Sequence, residues 1–186
     1  MGSIWTRILL SFLNGVVCIV GDKLVELNKN SLMRRAICDN LTHALSGLLC
    51  LIGFGCIISS FIDFDHFLVA KSIRLSNAVR LSERPPLHCT TIPLLLLLYQ
   101  LFNGYFHHSY RFNLWLSILN CAFLCHHTRD ANRRGFWIFP FGHTKSLPFV
   151  SYISLIVFIP LLTISILDLI TRHSIGRHDT LQSEII

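Results

Sequence analysis

Residues 149–170 read FVSYISLIVFIPLLTISILDLI, 22 positions with one charge, Asp168, close to the far end. A helix of about 20 apolar residues crosses the hydrocarbon core of a bilayer. This stretch alone therefore predicts a membrane span, with Pro160 placing a kink inside it. Four further apolar stretches precede it. Ile4 to Val20, broken by Arg7 and Asn14, reads as an anchor, because no small-x-small cleavage site follows it. Leu41 to Ile62 contains Gly47, Gly53 and Gly55. Ile92 to Phe106 includes five consecutive leucines, Leu94 to Leu98, and Phe112 to Cys125 is short but apolar.

The composition agrees. The chain has 186 residues, 52% of them apolar and 14% charged, where soluble domains carry about 25% charged residues. Its mean hydropathy is +0.56. Disordered, collagen-like and coiled-coil chains are excluded, and a soluble enzyme is disfavoured. The net charge of +6 would suit nucleic acid in another setting, but these basic residues sit between apolar runs, where topology accounts for them. We therefore expect the lipid bilayer as partner and no nucleic acid. Seven cysteines, several inside apolar runs, read as small apolar filler rather than a disulfide framework.

The expected architecture is an all-α, multi-pass helical membrane bundle of about five apolar segments. Residues 1–171 form one membrane domain and 172–186 a polar, mobile tail. Residues 22–40, 63–91 and 126–148 are polar connections, and 107–111 is a tight one. Lys and Arg counts test the topology. If every stretch crosses once, nine stand on one side against seven on the other. If 41–62 instead enters and returns as a re-entrant hairpin broken near Gly53 and Gly55, the split is twelve against four. The hairpin matches the usual asymmetry, yet two half-length helices reach only partway across and need protein around them. Both topologies stay open. With no retrieval or transit signal legible, an internal membrane such as the endoplasmic reticulum is expected.

Ionisable residues gather at the ends of these stretches. Asp63, Asp65 and His66 close the second, His88 precedes the third, and the fourth runs into His126-His127-Thr128-Arg129-Asp130. His126 and Asp130 are four apart, on one face if the helix continues. The three clusters fall on one side of the membrane in either topology. Imidazole and carboxylate donors together suit a divalent metal such as Zn, Mn or Fe, which would activate water for hydrolysis. Asp63, Asp65, His88, His126 and Asp130 are the expected metal ligands, with His66 as acid/base. Arg84, Arg133 and Arg134 would hold an anionic substrate or lipid head group. Taken singly, each residue is explained as a helix terminator at the interface; together they favour a site.

These motifs resemble the YdjM-like (LexA-regulated) family of membrane-bound metal-dependent hydrolases. Its helix-starting His, Asp-x-Asp-His, Arg-His and His-x-x-x-Asp elements match His43, Asp63-Phe64-Asp65-His66, Arg84 with His88, and His126 with Asp130. The chain resembles more closely the eukaryotic transmembrane protein 267 family. The matches are Asp39-Asn40, Asp63-x-Asp65-His66-Phe67, Arg84-Pro85-x-Leu87-His88-Cys89 and His126-His127-x-Arg129-Asp130, then Arg133, Gly135, Trp137 and Pro140-Phe141-Gly142. Glu83 and Pro85 depart from the hydrolase pattern, which has His and Gly there. The interval from His43 to Asp63 is also about half the family's length. The resemblance implies a multi-pass membrane protein with metal-dependent, phospholipase-like activity on lipid phosphoesters. The alternative is a non-catalytic scaffold or partner subunit descended from such a hydrolase.

Overall fold

The computed structural model describes residues 4–51, 58, 61–81, 83–106 and 109–183. Helix α1, Ile4–Leu27, opens the bundle, and α2, Leu32–Leu51, folds back against it. The turn is held locally. The Asn28 side chain donates to the Leu24 carbonyl at 2.8 Å. Ser31 caps α2, its Oγ accepting the Arg34 N–H at 3.4 Å. The two helices approach closely at Gly21, where a Cβ would overlap Thr42.

Two short helices follow, α3 (Asp65–Ala70) and α4 (Leu75–Ala78), then a 3-10 turn at Pro86–His88. Helices α5 (Thr91–Phe106) and α6 (Tyr110–Arg134) come next, then a hairpin of β1 (Trp137–Ile138) and β2 (Gly142–His143), and finally α7 (Phe149–Ser183). The strands pair antiparallel, Trp137 opposite His143. Gly135 ends α6 with a positive φ of 72°, and a Cβ there would overlap the Thr144 carbonyl.

Helix α6 is the centre of the bundle, packed against α2, α5 and α7. Its polar residues turn inward. Gln100 of α5 donates to Ser117 Oγ at 2.6 Å and accepts from Asn120 at 3.0 Å. Asn103 donates to Asn113 at 3.3 Å. Such pairs join helices where water cannot satisfy them. A small core of Cys18, Cys121, Cys125, Tyr152, Ile156 and Ile159 binds α1, α6 and α7.

Pro160 leaves a signature. Lacking an N–H, it frees the Ile156 carbonyl of its own helix. Asn14 of α1 donates to that carbonyl at 3.3 Å. The polar residue that interrupts the first apolar stretch thus replaces the hydrogen bond missing from the last.

Several boundaries differ from the sequence reading. Among the described residues, two helices are long and apolar enough to cross a membrane, Ile8–Leu27 and Phe149–His173, while Thr91–Phe106 is shorter. The stretch 112–125 is half of a longer helix whose polar side is buried by neighbours, so hydropathy undervalues it. The polar connections are partly helical: α1 runs to Leu27, α2 starts at Leu32 and α6 continues to Arg134. Buried charge pairs, described below, hold those polar turns in the bundle. Helix α7 continues to Ser183, past the expected start of a tail at 172. Gly53, Gly55, Cys56, His107 and His108 lie outside the described residues.

Candidate metal centre

Four segments converge at the end of the bundle reached by the C-terminal part of α6. Helix α2 brings Asp39 and His43, the turn before α3 brings Asp63, α3 brings Asp65 and His66, and the 3-10 turn brings His88. The last turns of α6 add His126 and Asp130. His88 Nε2 lies 3.2 Å from His126 Nε2. The same His88 nitrogen stands 3.4 Å from Asp63 Oδ1 and 3.4 Å from Asp130 Oδ2. His126 Nε2 is 3.6 Å from Asp63 Oδ1 and 3.9 Å from Asp130 Oδ2. The two His Nε2 atoms thus each approach a carboxylate oxygen of Asp63 and of Asp130. Three overlapping groups among the described residues could hold a metal ion, His43 with Asp63 and His126, Asp63 with His66 and His88, and His88 with His126 and Asp130.

The remaining site residues surround these groups. Asp65 meets His88 through its other nitrogen, Oδ1 lying 3.4 Å from Nδ1. It also faces His66 Nδ1 at 3.3 Å and accepts the Leu87 N–H at 2.8 Å. The His66 side chain is 21% exposed, while those of His43, His88 and His126 are 3% exposed or less. The His43 ring stacks on His126 at 4.0 Å, and its Nε2 stands 4.0 Å from Asp63 Oδ2. His43 and Asp63 therefore share one end of the bundle; of the 41–62 stretch between them, residues 52–57, 59 and 60 lie outside the described residues.

Charges tune these groups. Burial works against a charged His88, but Asp63 and Asp65 beside it raise its pKa to about 9. Burial would likewise raise Asp65, yet the imidazoles of His66 and His88 and the Leu87 N–H hold it at about 2. Asp130 overcomes its own burial through His126 and Arg133 and lies below the usual carboxylate range. His127 is pushed down to about 3, by burial first and then by His126. Its ring is fully engaged, Nε2 with the Leu87 carbonyl at 2.8 Å and Nδ1 with Thr90 Oγ1 at 3.1 Å. It therefore braces the His88 loop and faces away from the cluster.

The arginines divide into two kinds. Arg133 donates to Asp39 at 3.1 Å and to Asp130 at 3.2 Å. Arg84 donates to the Gly135 carbonyl at 3.0 Å and, with Glu83, Arg134 and His143, lines a cavity of about 280 Å³. Arg129, unremarkable in sequence, is fully buried and pairs with Asp22 at 3.0 Å and with Asp39. The Tyr152 hydroxyl donates to Asp22 at 2.8 Å. This network joins α1, α2, α6 and α7 behind the His–Asp cluster. In the sequence, His43 and Asp39 stood out only through the family resemblance; Asp22 and Tyr152 carried no such signal.

No protein-family model and no solved structure matches the chain. Curated relatives do. The chain is 36% identical over 169 residues to transmembrane protein 267 of Bos taurus, covering 80% of this chain and 77% of that protein. It is 35% identical over 161 residues to transmembrane protein 267 of Mus musculus, covering 75% and 73%. It is 33% identical over 169 residues to transmembrane protein 267 of Danio rerio, covering 78% and 74%.

Proposed function

This chain belongs to the transmembrane protein 267 family, and from that membrane setting and the His–Asp cluster we propose that it is a metal-dependent hydrolase working at the bilayer surface. The observation that carries this reading is the approach of His88 and His126 to each other and of each to Asp63 and Asp130, at 3.2–3.9 Å. A tetrahedral zinc with bonds of about 2.0–2.2 Å holds its donors about 3.3–3.6 Å apart. The charges also balance for one divalent ion. With neutral imidazoles, the carboxylates of Asp22, Asp39, Asp63, Asp65 and Asp130 outnumber the guanidiniums of Arg84, Arg129 and Arg133 by two. Zn, Mn or Fe suits this mixed donor set.

The side chains have distinct parts to play. His88, His126, Asp63 and Asp130 hold the ion. Asp65 stands behind His88 on its second nitrogen, a position that fixes ring orientation and strengthens the donor. A bound ion lowers the pKa of its water to about 7. His66 reaches solvent at the rim and is oriented through Nδ1 by Asp65, which suits a proton carrier. Arg84 and Arg134 line the neighbouring cavity and offer two cations to an anionic phosphoester. Arg133 is held by Asp39 and Asp130 and positions Asp130 instead.

Elemental analysis of the detergent-purified protein tests the reading. About one divalent metal per chain is expected, lost in Asp130→Ala and in His126→Ala while both variants stay monodisperse. A wild-type protein that holds no metal even after reconstitution with Zn and Mn would overturn it and leave a non-catalytic membrane scaffold.

A further inference from the structure

Segment 61–74 has two faces. Asp63, Asp65 and His66 turn toward the metal cluster, while Phe61, Phe64, Leu68 and Ile73 project outward, Leu68 65% and Ile73 94% exposed. The rings of Phe61 and Phe64 stack at 5.5 Å and those of Phe64 and Phe67 lie 6.1 Å apart, making one aromatic strip. Lys71 caps α3 in the left-handed conformation, φ 47°, its N–H donating to the Leu68 carbonyl at 3.1 Å. The Ser72 N–H reaches back to the Phe67 carbonyl at 3.3 Å. This turn folds Ile73 and Arg74 alongside the helix and opens a groove of about 700 Å³ between them and Phe64, Phe67 and Leu68.

Phe64, Phe67, Leu68 and Ile73 give the groove an apolar lining, and Lys71 and Arg74 add two cations to it. Lys71 and Arg74 pair with no carboxylate among the described residues. Exposed aromatic and aliphatic side chains flanked by Lys and Arg are the composition that anionic lipid surfaces attract. The chain belongs to a membrane family, so such a surface is at hand.

We propose that this groove binds an anionic phospholipid of the surrounding bilayer. The acyl chain lies along Phe64, Phe67 and Leu68, and the phosphate sits between Lys71 and Arg74. The site is separate from the metal cluster, on the opposite face of α3, and binding there needs no metal.

The test is binding of fluorescent phosphatidylglycerol and phosphatidylcholine to the purified protein at fixed detergent, read by anisotropy. At about one kcal/mol for each cation near an anionic surface, two cations correspond to a preference of about thirtyfold for phosphatidylglycerol. A paired Lys71→Ala and Arg74→Ala variant should bind the two lipids alike. A paired Leu68→Asn and Ile73→Asn variant should weaken both by about tenfold or more. These side chains are exposed, and thermal unfolding unchanged from wild type verifies that the variants fold. Chelation of metal should leave binding untouched. Equal affinity for the two lipids in the wild type would overturn the proposal, as would a preference surviving in the Lys71/Arg74 variant. Displacement by inorganic phosphate at lipid concentration would point to a free anion instead and overturn it. Loss of binding on chelation would move the lipid to the metal centre and overturn it as well.

Discussion

Replacing Asp65 with Asn separates a residue that binds metal from one that supports a ligand. Asp65 presents Oδ1 to His88 Nδ1 at 3.4 Å, while His88 turns Nε2 to the cluster. Its other oxygen is taken by the Leu87 N–H at 2.8 Å. An amide of the same shape keeps the Leu87 contact but removes the negative charge behind the imidazole. Groups in this position are worth a 10–100-fold change in metal affinity, about 1.4–2.8 kcal/mol. We expect Asp65→Asn to keep one metal per chain at saturation and to bind it 10–100-fold more weakly, where Asp130→Ala binds none. Competition against a chromogenic chelator in detergent measures both. If Asp65→Asn empties the site as completely as Asp130→Ala, the carboxylate ligates directly. If its affinity equals that of the wild type, Asp65 contributes nothing to the ligand behind which it stands. Either result refutes the reasoning.

Metal uptake should release about one proton per chain near pH 7. His88 has a pKa of about 9 and is protonated there, so affinity should rise about tenfold per pH unit and level off above about 9; calorimetry in buffers of differing ionisation enthalpy measures it. Asn14→Leu should cost about 1–2 kcal/mol by stranding the Ile156 carbonyl, and most of that cost should vanish in a Pro160→Ala background, where the helix supplies its own N–H; a double-mutant cycle of thermal midpoints tests this. Arg129→Met should destabilise the protein by about 3–5 kcal/mol, because Asp22 and Asp39 lose their buried partner, seen as a large fall in the thermal midpoint. Lys71→Gly should raise stability by about 1 kcal/mol, since glycine adopts the left-handed conformation without steric cost, while lowering the lipid preference of the groove.

Membrane character was legible because it depends on runs of side chains that each count independently. The span at 149–170 is of this kind. The candidate ligands were legible for a related reason: aspartate and histidine at the ends of apolar stretches are costly without a purpose. What escaped the sequence is pairing across long distances. Arg129 reads as one more basic residue in a connection, yet its partner is 107 positions earlier. Helix α6 reads as a short apolar stretch because its amides and hydroxyls face α5 rather than lipid. Asp65 and Asp63 are chemically identical and two residues apart, and only the direction in which His88 points distinguishes their positions.

The pairing of Asp22 with Arg129 also bears on how the chain is made. Synthesis proceeds from the N-terminus at about 5–20 residues per second. The first helix therefore reaches the membrane with its aspartate about 5–20 s before the matching arginine leaves the ribosome. Tyr152, which completes the cluster, follows later still, 130 positions after Asp22. Throughout that interval α1 carries a carboxylate whose permanent partner has not been made. The buried cluster around Asp22 can close only once both Arg129 and Tyr152 have been made.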